Sequence, residues 1–209
     1  MSSRTRRFRW GDAVVVTAAA MLAGCGAVRY PASYLLDLQP TTPPAQSPRG
    51  GLGQLVVREF QCPVYLCDGR IVYRPAPSQV GFYEYHRWAM SPGQMISQSV
   101  AASIRARGLF TSVTLRDGAT DPAYLLTGVI ERLEEVDAGR DVHAVCALSL
   151  QLADARTKSI IWTGSESATV TVVERDVAGV VRSLTTATRS VVGALVASME
   201  KQLLSVAGP

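Results

Sequence analysis

Tyr124–Val136 (YLLTGVIERLEEV), Val142–Ala153 (VHAVCALSLQLA) and Ser159–Val173 (SIIWTGSESATVTVV) decide the fold. All three are long and rich in β-branched or apolar residues, and Asp154–Lys158 supplies a polar turn between the last two. In the second stretch Cys146, Leu148, Leu150 and Leu152 share one face, while His143, Ser149 and Gln151 occupy the other. That period of two is the mark of a strand with one face turned to a core. Three such strands in succession predict an antiparallel meander. Immediately afterwards Val177, Val180, Val181, Leu184, Val191, Val192, Leu195, Val196, Met199 and Leu203 recur at spacings of three and four. They trace a long amphipathic helix reaching about Leu204, whose apolar stripe needs a sheet to cover it.

Upstream, Phe110–Leu115 reads as a further strand, and a helix precedes it. Ser91 is an N-cap residue, Pro92 takes the first helical position, Gln94 stands three residues after the cap, and Ile96, Val100 and Ile104 follow at helical spacing until Gly108. Val80–Trp88 alternates as a strand, with Phe82, Glu84, His86 and Trp88 on one face and Tyr83, Tyr85 and Arg87 on the other. Ile71–Arg74, Gln54–Phe60 and Ala32–Leu38 are shorter strands, and Cys62–Cys67 is a turn-like crossing. Gln39–Gly53, with four Pro and three Gly, reads as a loop. The order β-β-β-β-α-β-β-β-β-α predicts an α+β domain: a mixed, largely antiparallel sheet with two amphipathic helices packed on one face. At 209 residues the chain is long enough for one such domain with a real core, and no internal repeat is visible.

The first 24 residues are of another kind. Arg4, Arg6, Arg7 and Arg9 form a positive region, and Ala13–Ala23 follows as an apolar run of eleven residues interrupted only by Thr17. Such a run, read as a helix, rises about 16 Å, roughly half a hydrocarbon core, so it reads as a bacterial export signal and not as a permanent span. The segment also accounts for the net charge of +4: without its four arginines and Asp12 the remainder holds 17 basic and 16 acidic residues. A nucleic-acid footprint needs a far stronger basic bias. With 47% hydrophobic and 18% charged residues, a disordered tail or coiled-coil rod is excluded as well.

Leu22-Ala23-Gly24-Cys25 resembles the lipobox of bacterial lipoproteins, in which the cysteine thiol takes diacylglycerol before cleavage. The resemblance implies a signal peptide over 1–24, Cys25 as the lipid attachment site with palmitate-type chains, and a soluble domain tethered to a bilayer. Gly26 stands where an enteric inner-membrane retention signal would carry Asp, which favours the outer membrane facing the periplasm, with the inner membrane as the alternative. Residues 25–53 then form the lipidated N-terminus with the first short strand and the loop, and 54–206 the domain proper, with the strand at 32–38 joining its sheet.

Three further cysteines remain. Cys62 and Cys67 enclose a loop that a disulfide can close in an oxidising compartment, and Cys146 reads as a small core residue. A zinc site from Cys62, Cys67, His143 and Cys146 has the right ligand types, but residues 143 and 146 leave opposite faces of a regular strand. No metal or cofactor is expected. Catalysis finds no support in a nucleophile elbow, phosphate loop or His-Glu-x-x-His pattern, and Glu84, Glu134 and Glu135 read as solvated strand residues. The aromatic density of Val80–Trp88 is unusual. Tyr83, Tyr85 and Arg87, on one face of that strand, are the candidate partner-binding residues.

The lipobox, Tyr34-Leu35-Leu36, Ile71-Val72-Tyr73-Arg74, Tyr85-x-x-Trp88 leading into a capped helix, Gly108-Leu109-Phe110 and Ile160-Ile161-Trp162 occur in an order that resembles the ABC-type transport auxiliary lipoproteins, the PqiC-like or YmbA-like group. The resemblance implies a non-enzymatic accessory of an ABC transporter that works with an MCE-domain (mammalian cell entry) periplasmic protein. Such systems move lipids or other hydrophobic molecules between inner and outer membranes, and the lipoprotein docks the MCE component at the outer membrane. It implies no catalytic residue and no nucleic-acid partner, and it leaves a homo-oligomer open. An envelope-assembly or wall-binding lipoprotein without a transport partner is the alternative that shares the anchor and the fold.

Overall fold

A computed structural model describes residues 30–39, 51–115 and 121–207; the signal segment 1–24, Cys25 and most of the Pro/Gly-rich loop lie outside the described residues. Eight strands form one mixed sheet: β1 (Ala32–Tyr34), β2 (Leu52–Val57), β3 (Arg70–Ala76), β4 (Gln79–Trp88), β5 (Phe110–Leu115), β6 (Tyr124–Ala138), β7 (Asp141–Asp154) and β8 (Ile160–Thr171). The described helices are α1 (Val64–Cys67), α2 (Pro92–Arg107) and α3 (Val177–Ala207).

The predicted meander is the backbone of this sheet. β6 pairs antiparallel with β7 from Tyr124↔Asp154 to Ala138↔Asp141, and β7 with β8 from His143↔Thr171 to Ala153↔Ile160. The far side of β6 is shared. β2 runs parallel to its first part (Leu55↔Tyr124) and β3 parallel to its last (Tyr73↔Glu135), with Gln61↔Val129 bridging between them. β5 lies parallel outside β2, β4 antiparallel outside β3, and β1 parallel outside β4.

α2 and α3 pack against each other and against one sheet face, where Cys146, Leu148, Leu150 and Leu152 are buried beneath Leu184, Val191, Leu195 and Met199. The stripe of apolar residues explains α3, since a 31-residue helix is stabilised mainly by what it covers. Ser91 caps α2 by accepting from the Gln94 amide at 3.1 Å, Pro92 occupies the first turn, and Gly108 ends the helix in the left-handed conformation (φ 65°) that a side chain would disfavour.

Two expectations need correction. The strand expected over 32–38 is a strand only to Tyr34. Beyond it the chain leaves the sheet and crosses onto the helices: Leu36 and Leu38 are buried, the Leu38 carbonyl accepts from Ser99 Oγ at 3.1 Å, and Arg189 Nη2 donates to Asp37 Oδ2 at 3.0 Å. The two buried leucines gain more from the groove between α2 and α3 than from extending a sheet edge. The crossing at Cys62–Cys67 contains one helical turn, α1, which seats Leu66 in the core, so the described residues hold three helices where two were expected. No described helix is long and apolar enough to cross a membrane.

Candidate functional site

The segment singled out by its aromatics is β4. Two steps of β3 separate Arg70↔Arg87 from Val72↔Phe82, while five steps of β4 pass between the same pairs. A bulge of that size breaks strict alternation. In consequence Tyr83 and His86, which alternation sends to opposite faces, meet edge to face with centroids 5.8 Å apart. Tyr83 also packs on Tyr73 at 5.2 Å and donates its hydroxyl to Glu135 Oε2 at 2.5 Å. His86 contacts Tyr34, whose hydroxyl is hydrogen-bonded to Nδ1 at 3.0 Å. Tyr83 is therefore half-buried and engaged inside the domain, a correction to its expected place on an outer surface. Tyr85 and Arg87 remain exposed.

The electrostatics of this corner follow from burial. Loss of water pushes the Glu135 carboxyl up, against the lowering influence of the Tyr83 hydroxyl bond, and desolvation together with Glu135 pushes the Tyr83 phenol upward. One residue earlier, on the other sheet face, Glu134 is completely buried. Arg74 Nε and Nη2 reach its two oxygens at 3.1 and 2.9 Å, and Arg132 Nε adds a third bond at 2.7 Å. Neither glutamate is a solvated strand residue. β3, lying alongside β6, brings Arg74 to one and, with β4, Tyr83 to the other. Three charge-assisted hydrogen bonds to a wholly buried carboxylate make Glu134 the centre of an internal ion-pair network. Only Glu84 stays exposed, as its place on β4 suggested.

The cysteines sort by position. Cys62 and Cys67 are paired as a disulfide across α1, with Cα atoms 5.8 Å apart, within the usual range for a bridge. Cys146 is buried on the helix-facing side of β7, where desolvation pushes its thiol up to about 11 despite the smaller lowering influence of Thr188 nearby. His143 leaves the opposite face of β7, with Nδ1 buried and unpartnered. The four residues do not converge, and among the described residues no group of three or more His, Cys, Asp or Glu side chains is placed to hold a metal ion.

What the sequence did not single out is the sheet face that α2 and α3 leave uncovered. Its central rows are Thr127–Gln151–Thr163 and Val129–Ser149–Ser165. Ser149 Oγ is 2.7 Å from Ser165 Oγ and bonded to Glu131. Arg58, Glu59 and Gln61 wall one side of a shallow groove of about 620 Å³ over these rows. The groove is open and of mixed polarity, with Val129 exposed among its lining residues, and it presents hydrogen-bonding side chains to a surface rather than enclosing a small molecule. The alternation in β7 already carried this signal, because Ser149 and Gln151 oppose its apolar face.

The fold and site thus define an α+β module in which Glu134 and Glu135 are held in internal bonds beside a sheet face that no described helix covers. The solved structure of protein XCC0632 from Xanthomonas campestris is similar over 85% of this chain and 99% of its own, with a TM-score of 0.73 at 20% identity. An uncharacterized protein gives a TM-score of 0.63 at 13% identity over 81% and 99% of the two chains. The hypothetical protein CT253 from Chlamydia trachomatis gives 0.50 at 7% over 74% and 99%. At these identities the likeness concerns the fold. No curated protein matches the sequence. The family model for the ABC-type transport auxiliary lipoprotein component matches residues 34–196, and the chain belongs to that family. It is accordingly a lipoprotein of the cell envelope associated with an ABC-type transport system.

Proposed function

We propose that this protein is the non-enzymatic auxiliary lipoprotein of an ABC transport system, held by acylated Cys25 in the outer membrane with its domain in the periplasm. There it docks an MCE-domain protein that carries lipids or other hydrophobic molecules between the two membranes. On this reading residues 1–24 are the removed signal, 25–53 the tether with the first strand and loop, and 54–206 the working domain. The family match over residues 34–196 is the observation that carries the proposal. Its physical basis is that each methylene exposed to water costs about 0.8 kcal/mol, so a hydrophobic cargo needs a protein conduit fixed at its destination. Fixing a conduit requires an anchor and a docking face, and neither needs a cofactor.

The uncovered face of β6–β8 and the exposed pair Tyr85 and Arg87 are the surfaces offered to the partner. Capture of an MCE-domain protein from native envelopes is the test. Val129→Arg or the double change Tyr85→Ala, Arg87→Glu is expected to abolish capture, whereas His86→Gln and His143→Gln leave it intact. Capture surviving every surface change overturns the docking role and favours a lipoprotein of envelope assembly. Recovery in the inner-membrane fraction overturns the outer-membrane location.

A further inference from the structure

We propose that the β3–β4 hairpin tip is a membrane-contact element, resting on the lipid interface to which the chain is anchored. The inference rests on the reading of Cys25 as the acylated residue. Seven peptide units separate Cys25 from Ala32, and even fully extended they span at most about 24 Å. The bilayer surface therefore lies within that distance of the start of β1. β1 is parallel to β4, with Ala32 opposite His86, so the residues of β4 that precede His86 continue past the amino-terminal end of β1. From Gln79 to His86 is about 20 Å of strand. The maximum reach of the tether exceeds the projection of the hairpin, so an anchored chain can bring the tip to the bilayer plane.

The composition of the tip suits an interface. Pro75 to Val80 carry no charge, Pro77 and Ser78 are exposed, and Val80 is 39% exposed. The last charged residue before them, Arg74, is committed to Glu134 and to the Pro77 carbonyl at 3.0 Å. The same end of the sheet contains the β6–β7 turn and the exit from β8, because β3 runs parallel to the end of β6 and the Val172 amide donates to Val142. Val173, just past that bond, is 90% exposed. Charges at this end are mixed: Arg140, Arg175 and Arg182 stand with Asp137, Asp141, Glu174 and Asp176, and Arg182 pairs with Glu174. Attraction to anionic headgroups is not what holds the tip there. The acyl anchor supplies affinity, and the tip fixes the orientation in which the domain stands on the bilayer.

The test uses the full lipidated chain reconstituted into phosphatidylethanolamine–phosphatidylglycerol vesicles, with an environment-sensitive dye on S78C and, in a second protein, on S167C of β8. Both positions are exposed, so neither change threatens folding. The dye at 78 is expected to shift to shorter wavelength and to lose emission to headgroup-labelled quenching lipid, while the dye at 167 is unaffected. Equal responses at the two positions overturn the contact. Mass analysis of the amino-terminal peptide separates the two levels of the argument. An acylated chain that floats with vesicles but leaves residue 78 in water sinks this inference alone, whereas an unmodified Cys25 sinks the anchor and the inference together. Shielding at 78 that appears only on adding an MCE-domain protein, without lipid quenching, reassigns the tip to a protein interface and also overturns it.

Discussion

Arg74 grips Glu134 through two parallel hydrogen bonds, 3.1 and 2.9 Å long, across the parallel pairing of β3 and β6. Because Glu134 is wholly buried, removing the guanidinium leaves a carboxylate with Arg132 as its remaining cation. Arg74→Ala is expected to lower unfolding stability by about 2–3 kcal/mol, read as a shift in urea midpoint, with Arg132→Ala costing less because Arg132 is the more exposed partner. Equal, small effects from the two substitutions would show that the carboxylate is solvated in solution.

Glu135 gives a pH signature. Burial raises its carboxyl pKa in the folded state above the unfolded value, so the folded protein binds the extra proton more readily and the ionised form destabilises it. The stability cost is absent below the ordinary carboxylate range and fully present above the raised folded pKa. Glu135→Gln keeps an acceptor for Tyr83 and removes the charge. Its stability advantage over wild type is expected at neutral pH and should vanish as pH falls through that range; an advantage independent of pH contradicts the burial argument.

Gly93 and Gly193 should respond to alanine in opposite directions. A Cβ on Gly93 would overlap the carbonyl oxygen of Phe60, where the start of α2 presses on the chain leaving β2. A Cβ on Gly193, on α3, meets nothing within 4 Å. Gly93→Ala is expected to cost about 2 kcal/mol or more through backbone displacement, and Gly193→Ala to add about 0.5–1 kcal/mol through helix propensity. Thermal melts of the two variants against wild type decide the matter.

The four cysteines allow a count. With Cys25 capped by its lipid thioether and Cys62 bridged to Cys67, denatured and unreduced protein exposes one thiol to maleimide, that of Cys146; native protein exposes none, since Cys146 is buried. Two reactive thiols would mean an unmodified Cys25, and three an open Cys62–Cys67 pair. Opening that six-residue loop with Cys62→Ser and Cys67→Ser together is expected to cost about 2 kcal/mol.

Much of this fold was readable because periodicity reports burial directly. The meander of β6–β8, the stripe of α3 and the Ser91-Pro92-Gly93-Gln94 start of α2 depend on neighbours a few residues away, and such local patterns survive in a sequence. What escaped was set by distant partners. Glu134 and Glu135 read as polar strand positions until β3, some sixty residues earlier, is laid beside β6 and brings Arg74 with it. Tyr83 moves inward because the β3–β4 register slips, and no pattern within Val80–Trp88 encodes a slip. Leu36 and Leu38 looked like strand residues since burial against helices and burial in a sheet leave the same apolar letters. Of the site residues, Tyr85 and Arg87 keep the exposure that alternation predicted.

The parallel seating of β1 beside β4, followed by the crossing of Leu36–Leu38 over α2 and α3, has a mechanical consequence. A pull applied to the amino-terminal side of Ala32 acts along the axis of β1, loading its bonds to β4 side by side in shear instead of peeling them one at a time. Behind them the two leucines and the Arg189–Asp37 contact act as a knot against slippage. If the proposed lipid anchor is the point of attachment, the domain is braced where such a load would enter it.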